Sequence, residues 1–490
     1  MGDVYRARDT KPSFLSWSPD MTFVDVAPAL ILAAALTGGA NAADGSGDGE
    51  PAFRALYKEL VETNTSHSVG SCTLAAERMS ARLKAAGYPD QDVRLFAPDE
   101  FPKDGGLVAV LHGKGSTKKP ILLLAHVDVV EAKREDWTRD PFTLIEEDGY
   151  FYGRGTSDDK SMAAIFTDLL IRYKQEGYAP QRDIKLALTC GEEASGAFNG
   201  ADWLATHHKD WIDAAYALNE GGDGELDADG KRVVLDVEAA QKVYQDYQLE
   251  TTNPGGHSSQ PVPDNALYEM AAAITKLSKF EFPILLSDTT RAYFTQMSGI
   301  VGGEMGKAMA ALMKDPGDAQ ANAIVSSSKK YHSILRTTCV PTMISGGHAE
   351  NALPQSVRTN VNCRIMPGTP IESVRESLAA AIDDPSVKVT IQKPISPATP
   401  SPALSAEVLQ AVQAVVGRLY PGTPVLPTLQ TGASDGIYVS AHGIPTYGTF
   451  GVFVDPDLGN IHGLNERVRV RALMDGRRFH YQLVKLLADQ

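Results

Sequence analysis

The sequence predicts an α/β protein, a three-layer domain with a smaller α+β domain inserted into it. Over residues 51–238, amphipathic helices alternate with short, wholly apolar strands, the pattern of a parallel sheet covered on both faces. From about Gln241 the strands become half-exposed and alternate polar with apolar residues. A stiff linker with Pro394, Pro397, Pro400 and Pro402 then returns the chain to a helical pattern over 404–419.

Taken in order, the apolar run 26–36 followed by Ala40-Asn41-Ala42 reads as a secretory signal cleaved near Ala42, which makes the protein secreted or periplasmic. A disordered leader over 1–42 on a cytoplasmic protein is the alternative. The run is shorter than the ~20 apolar residues of a bilayer span, so no membrane span is expected. Helices are expected over 51–64 and 72–86, and buried strands over 107–111, 121–125, 184–189 and 214–218. After them come a strand over 243–252, a helix over 264–277 and a Met/Ala/Ser-rich stretch. Strands over 337–344 and 357–365, a helix over 371–382 and a strand over 387–391 follow. The expected division is therefore 51–240 and 397–490 as two parts of one domain, with 241–396 inserted as a lid or a homodimer contact.

Composition narrows the function. With 46 Lys and Arg against 61 Asp and Glu, the net charge of -15 argues against a nucleic-acid partner, because such proteins need a basic footprint. Cys72, Cys190, Cys339 and Cys363 are widely spaced and form no CxxC pair, so neither a thiolate metal site nor a disulfide framework is expected.

The polar residues at strand ends carry the chemistry, since ligands of open α/β sheets bind at the carboxyl ends of strands. The strand 121–125 runs straight into His126-Val127-Asp128, an imidazole with a carboxylate two residues on. GRGTSDDK (153–160) ends in two carboxylates at a helix start, where capping needs only one. Cys190-Gly191-Glu192-Glu193 puts two acids after a buried strand, a costly placement unless a cation offsets them. Asn219-Glu220-Gly221-Gly222 ends a further strand, and His462-Gly463-Leu464-Asn465-Glu466-Arg467 adds a second imidazole. This mixed His/carboxylate set suits zinc, and it fits a two-metal hydrolytic centre in which one carboxylate bridges the ions.

In the order LLLAHVDVV, GRGTSDDK, CGEE, NEGG, NPGGHSS, HGLNER, these motifs resemble zinc metallopeptidase family 20. That family includes aminoacylase, succinyl-diaminopimelate desuccinylase, bacterial glutamate carboxypeptidase and carboxypeptidase S. Trp137, Pro141 and Phe142 ahead of DGYFYGRG look most like the carboxypeptidase S (Gly-X carboxypeptidase) subgroup. The resemblance implies a zinc-exopeptidase-like catalytic domain with two zinc ions, cobalt or manganese being substitutes. His126 and Glu220 would hold one ion, Glu193 and His462 the other, and Asp158 would bridge them across an Asp158-Asp159 peptide that is often cis in the family. Asp128 would orient His126, and Glu192 would be the general base. His257 of NPGGHSS would polarise the scissile carbonyl, and Asn351 and Arg364 would hold the substrate carboxylate. Gly432 and Ser434 stand in a loop, TGASD, that resembles the family's GGTDA.

The resulting expectation is a carboxypeptidase or dipeptidase cleaving an amide bond beside a free carboxylate, with a small peptide as substrate. The alternatives are an aminoacylase acting on an N-acyl amino acid, and an inactive peptide-binding protein. His207, His208, His332 and His348 are expected to be structural, and the Met residues over 297–313 to pack a helix.

Overall fold

The computed structural model describes residues 49–115, 117–193, 198–397 and 405–490. The proposed signal segment 1–42, and Pro400 and Pro402 of the linker, lie outside the described residues.

Side-chain parity along the apolar strands builds three layers. In Ile121–His126, Ile121, Leu123 and Ala125 join a core with the helices Glu50–Glu62, Cys72–Ala85, Lys160–Gln175, Ala406–Leu419 and Val470–Asp489. Leu122 and Leu124 point the other way, into a core with the helix Gly200–His207 and with Val439 and Ile444. Successive side chains of a strand point to opposite faces, so a strand apolar at every position must be covered twice.

The large sheet has ten strands. Its centre is parallel, with Ile121–His126 between Ile184–Thr189 and Tyr216–Asn219 and Thr446–Gly448 beyond them. The expectation of a parallel sheet holds there and in two further pairs, Val425–Gln430 with Arg232–Gln241 and Phe453–Val454 with Gly224–Leu226. Gly106–Leu111 pairs antiparallel with Ile184–Thr189, and Arg232–Gln241 pairs antiparallel with Thr446–Gly448. Apolar runs do not report strand direction, so the flanks were not readable as antiparallel.

Val243–Thr252, Ser356–Ile365, Thr338–Gly346 and Lys388–Ile391 form a separate four-stranded antiparallel sheet. One face carries Val243, Tyr247, Leu249, Val361, Cys363 and Ile365 against the helices Ala266–Leu277 and Ile371–Ile382. The Met/Ala/Ser-rich stretch forms the helices Asp288–Val301, Gly303–Lys314, Ala319–Ser326 and Lys329–Leu335. These pack Met297, Met309 and Phe294 against Val234, Leu426 and Leu429, which belong to strands of the large sheet. Met297 and Met309 are core residues, and Met305 and Met313 pack half-buried against that core.

The cysteines correct the expectation drawn from their spacing. Cys72 pairs with Cys190 across 118 residues, and Cys339 with Cys363 across neighbouring strands. The fold brings the first pair to a Cα separation of 6.0 Å, a proximity that sequence spacing does not reveal. Among the described residues, no helix is long and apolar enough to cross a membrane.

Candidate metal centre

Five of the residues singled out at strand ends and loops converge. Asp158 stands in the middle: its Oδ1 lies 3.1 Å from His126 Nε2, and its Oδ2 lies 3.1 Å from His462 Nε2. On the first side Glu220 Oε2 is 3.6 Å from His126 Nε2, and on the second Glu193 Oε1 is 2.9 Å from His462 Nε2. Ligand atoms of His126, Asp158 and Glu220 fall within 4.8 Å of one another, as do those of Asp158, Glu193 and His462. Two three-residue sets thus share one carboxylate, with one oxygen facing each set.

Local sequence explains each placement. His126 ends its strand with Nε2 toward Asp158 and Nδ1 3.1 Å from the Asp128 carbonyl oxygen and 3.5 Å from Asp128 Oδ1. The Asp128 carboxylate also accepts the backbone N–H groups of Glu192 (3.4 Å) and Glu193 (3.0 Å), so it joins His126 to the Glu192-Glu193 turn. That turn needs Gly191, whose φ is 93° and where a Cβ would come within 1.9 Å of the Phe198 carbonyl oxygen. The Glu220 turn needs Gly221, with φ 86°, where a Cβ would meet Glu238 Oε2 at 1.9 Å. The Asp158-Asp159 peptide is cis, and Asp159 takes the N-cap position of Lys160–Gln175 without a capping hydrogen bond.

The electrostatics test whether this set fits a cation. Glu220 Oε1 and both carboxylate oxygens of Asp159 are buried without a hydrogen-bond partner. Burial, then the charge of Glu220, pushes Glu192 well above the carboxylate range; burial pushes Glu220 itself up to about 7 against the pull of His126. The hydrogen bonds of Asp158 and Glu193 carry His462 up to about 10, and His126 is raised despite its burial by Glu220, Asp128 and Asp158. Crowded acids that hold protons, beside imidazoles that hold theirs, are what a site of excess negative charge produces. Imidazole and carboxylate donors with orphaned oxygens fit a borderline-to-hard divalent cation.

The remaining candidates divide. His257 and Asn351 come together on a small exposed ribbon, where Gly256–His257 pairs with Ala352–Leu353 and Ser258 N donates to the Asn351 carbonyl oxygen at 3.0 Å. Among the described residues, neither bonds to the Asp158 cluster. Arg364 is half-buried on the four-stranded sheet, stacked over the Tyr244 ring at 4.8 Å, and near enough to Glu192 for that charge to act on it. Gly432 stands free of close contacts. Ser434 is buried: its Oγ accepts from Asn219 Nδ2 (3.0 Å) and Gly436 N and donates to Gln241 Oε1 (3.1 Å). Through Asn219 this hydroxyl is tied to the residue directly before Glu220.

Two buried acids went without a role in the sequence. Asp435 accepts from Thr189 Oγ1 (2.6 Å) and Asn199 Nδ2 (2.7 Å), bracketing the segment that carries Glu192 and Glu193. Glu466 accepts the backbone N–H groups of Gly155, Ser157 and Asp158 at 2.8–3.2 Å. The signal for Glu466 was its place four residues after His462 in the same motif.

A three-layer α/β domain with paired His/carboxylate sets at its strand ends defines a metal-dependent hydrolase acting on peptide or amide C–N bonds. The chain belongs to peptidase family M20/M25/M40, whose sequence pattern matches residues 122–486. It is 26% identical over 409 residues to the N-fatty-acyl-amino acid synthase/hydrolase PM20D1 of Homo sapiens, covering 81% of this chain and 80% of that protein. It is 29% identical over 277 residues to carboxypeptidase S of Saccharomyces cerevisiae, covering 53% of this chain and 47% of that protein. The fold superposes on the M20 family metallo-carboxypeptidase Sso-CP2 from Sulfolobus solfataricus with a TM-score of 0.67 and 16% identity, over 89% of this chain and 99% of that one. The resemblance expected from the motifs is thus borne out at the level of the family.

Proposed function

We propose that the chain is a two-zinc exopeptidase that hydrolyses the amide bond next to a free carboxylate of a small peptide. The carrying observation is Asp158, with one oxygen toward His126 and Glu220 and the other toward His462 and Glu193. These five residues would hold the two ions, which when bound supply Lewis-acid polarisation of the carbonyl and lower the pKa of water.

The chain's own groups do the rest. Asp128 holds His126 and, through two backbone N–H groups, the turn bearing Glu192. Glu192 takes the proton from the attacking water and delivers it to the departing nitrogen. Arg364 receives the free carboxylate as a planar fork. The ribbon with His257 and Asn351 approaches the carbonyl when the unit 241–396 closes, or across a homodimer, over the domain formed by 51–240 and 397–490.

The match to N-fatty-acyl-amino acid synthase/hydrolase over 81% of the chain favours a second reading, an N-acyl-amino-acid amidohydrolase with the same catalytic groups and a different acyl pocket. Two disulfides support folding in an oxidising compartment, in keeping with export through the 1–42 segment.

The test is metal-dependent product release from dipeptides, longer peptides and N-acyl amino acids, using chelated and zinc-restored enzyme. Release of C-terminal residues from peptides supports the exopeptidase. Turnover confined to N-acyl amino acids moves the assignment to the amidohydrolase, and no turnover by the zinc-loaded protein overturns both.

A further inference from the structure

The chain passes from the large sheet to the four-stranded sheet through one residue, Lys242, between Arg232–Gln241 and Val243–Thr252. Lys242 is fully buried, and its Nζ makes one hydrogen bond, to Thr338 Oγ1 at 3.3 Å. Other buried cations are matched. Arg154, Arg182, Arg336 and Arg477 pair with Glu466, Glu407, Glu281 and Asp168, and Lys160 and Lys185 donate to backbone carbonyls. Among the described residues, no carboxylate lies within ion-pair distance of Lys242. A buried ammonium in this state is costly unless it sheds its proton or meets an anion.

Arg364 is the neighbour that gives this charge a purpose. Its register partners on the two flanking strands are Tyr244 and Thr338, the latter being the residue that Lys242 touches. Period-two alternation puts Lys242, Tyr244 and Arg364 on one face, opposite the face that Val243, Tyr247 and Cys363 present to the helices. Arg364 likewise has no carboxylate within ion-pair distance among the described residues; burial lowers it, and Tyr244, Glu192 and Asp246 act on its charge from further off. Two cations without an ion-pair partner, on the side of the general base, make a receptor for an anion.

We propose that Lys242 is a specificity-determining residue, a buried charge behind Arg364 that makes the site a two-cation receptor for the substrate's free carboxylate. The inference rests on the reading of Arg364 as the carboxylate-binding fork. Burial, then the charges of Arg364 and Arg336, pushes Lys242 down to about 7, so its amine is partly neutral near pH 7 and takes up a proton as a carboxylate docks. The groups that face it are Arg364, Arg336 ahead of Thr338–Gly346, the Thr338 hydroxyl, and His332 on Lys329–Leu335, itself lowered by burial and by Arg336.

The test compares one substrate bearing a free C-terminal carboxylate with its C-terminal amide, using full-length zinc-loaded wild type, Lys242→Met and Lys242→Arg. In Lys242→Met the ratio of kcat/KM for carboxylate over amide should fall about tenfold, through KM, as expected for losing a unit charge at short range. In wild type the carboxylate KM should rise between pH 6 and 8.5, in Lys242→Met that rise should flatten, and Lys242→Arg should restore the discrimination. Lys242→Met should unfold at or above the wild-type temperature, because removing an unmatched buried charge relieves the fold. A lower Tm, or an unchanged carboxylate-to-amide ratio, overturns the assignment. If wild type itself does not prefer the carboxylate, the proposed function fails rather than the role of Lys242.

Discussion

Arg154 and Glu466 form a buried ion pair, Nη1 to Oε2 at 2.7 Å, that locks two loops of the candidate metal centre to each other. Arg154 also donates to the Gly463 carbonyl oxygen (2.9 Å) and lies over the Trp137 ring (5.0 Å), while the freed lone pairs of Glu466 accept Gly155, Ser157 and Asp158 N–H groups. The loop of Asp158 and the loop of His462 are therefore set by one carboxylate. Such outer groups hold ligands in register. Glu466→Gln leaves the Arg154 guanidinium buried with a neutral partner, which should cost about 3 kcal/mol or more in unfolding free energy. It should also weaken metal binding by roughly 10–100-fold. Denaturant unfolding of the metal-free protein and a metal titration read the two effects separately; an unchanged metal affinity would remove the proposed link between the loops.

Glu192 falls outside the two sets that share Asp158, although its carboxylate offers an atom within 4.8 Å of ligand atoms of His126 and Glu193. Replacing it with Gln keeps the shape and removes the proton acceptor. Turnover should drop by at least about 10²–10⁴-fold, with the zinc content per chain the same as in wild type. Activity within a few-fold of wild type would end its assignment as general base, and lost zinc would make it a ligand instead.

How far the sequence carries the reader depends on the kind of residue. His126, Glu192, Glu193 and Glu220 were visible because an apolar strand stopping at a charged side chain is a marked break in pattern. The ends of Ile184–Thr189 were readable for the same reason, and those of Val243–Thr252 from its alternation of polar and apolar residues. Asp435 and Glu466 were not assigned, since a buried acid fed by N–H donors looks the same in sequence as a solvated loop acid. Composition marked a Met/Ala/Ser-rich stretch and a helix packed by its methionines, but not the run of helices over 288–335 nor that Val234, Leu426 and Leu429 cover them. Ser434 shows the limit of a motif: the resemblance of TGASD names the residue, but not that Asn219 and Gln241, far away in sequence, bond its hydroxyl.

The Cys72–Cys190 bond anchors the start of the turn that carries Glu192 and Glu193, because Cys190 directly precedes Gly191-Glu192-Glu193. Closing a loop of 118 residues is worth up to about 5 kcal/mol in the chain-entropy picture. A Cys72→Ala/Cys190→Ala double variant should lose several kcal/mol in denaturant unfolding, of order 2–5, and should bind zinc less tightly at the Glu193–His462 side. The Cys339–Cys363 bond stays intact in this variant, so the effect belongs to one bridge. Equal zinc affinity would separate the disulfide from the centre and leave it a purely global brace.

His480 tests the fold in a region that holds no candidate ligand. It is fully buried in Val470–Asp489, its Nδ1 3.0 Å from the Gly476 carbonyl oxygen and its ring edge-on to Phe166 and Phe479. Burial pushes its pKa down to about 4. An unfolded chain protonates the same ring near 6.5. Between those values the unfolded state binds the extra proton, so stability is retained above about pH 6.5 and lost as pH falls toward 4. At pH 5 the loss from this one ring is on the order of 2 kcal/mol. In His480→Gln the amide keeps the bond to Gly476 and does not titrate, so the unfolding free energy of wild type minus variant should fall by about that amount between pH 7.5 and pH 5. Taking the difference cancels the acids and imidazoles of the metal centre, which titrate in both proteins. A wild-type-minus-variant difference that stays constant over this range would show that His480 is not buried as a neutral ring.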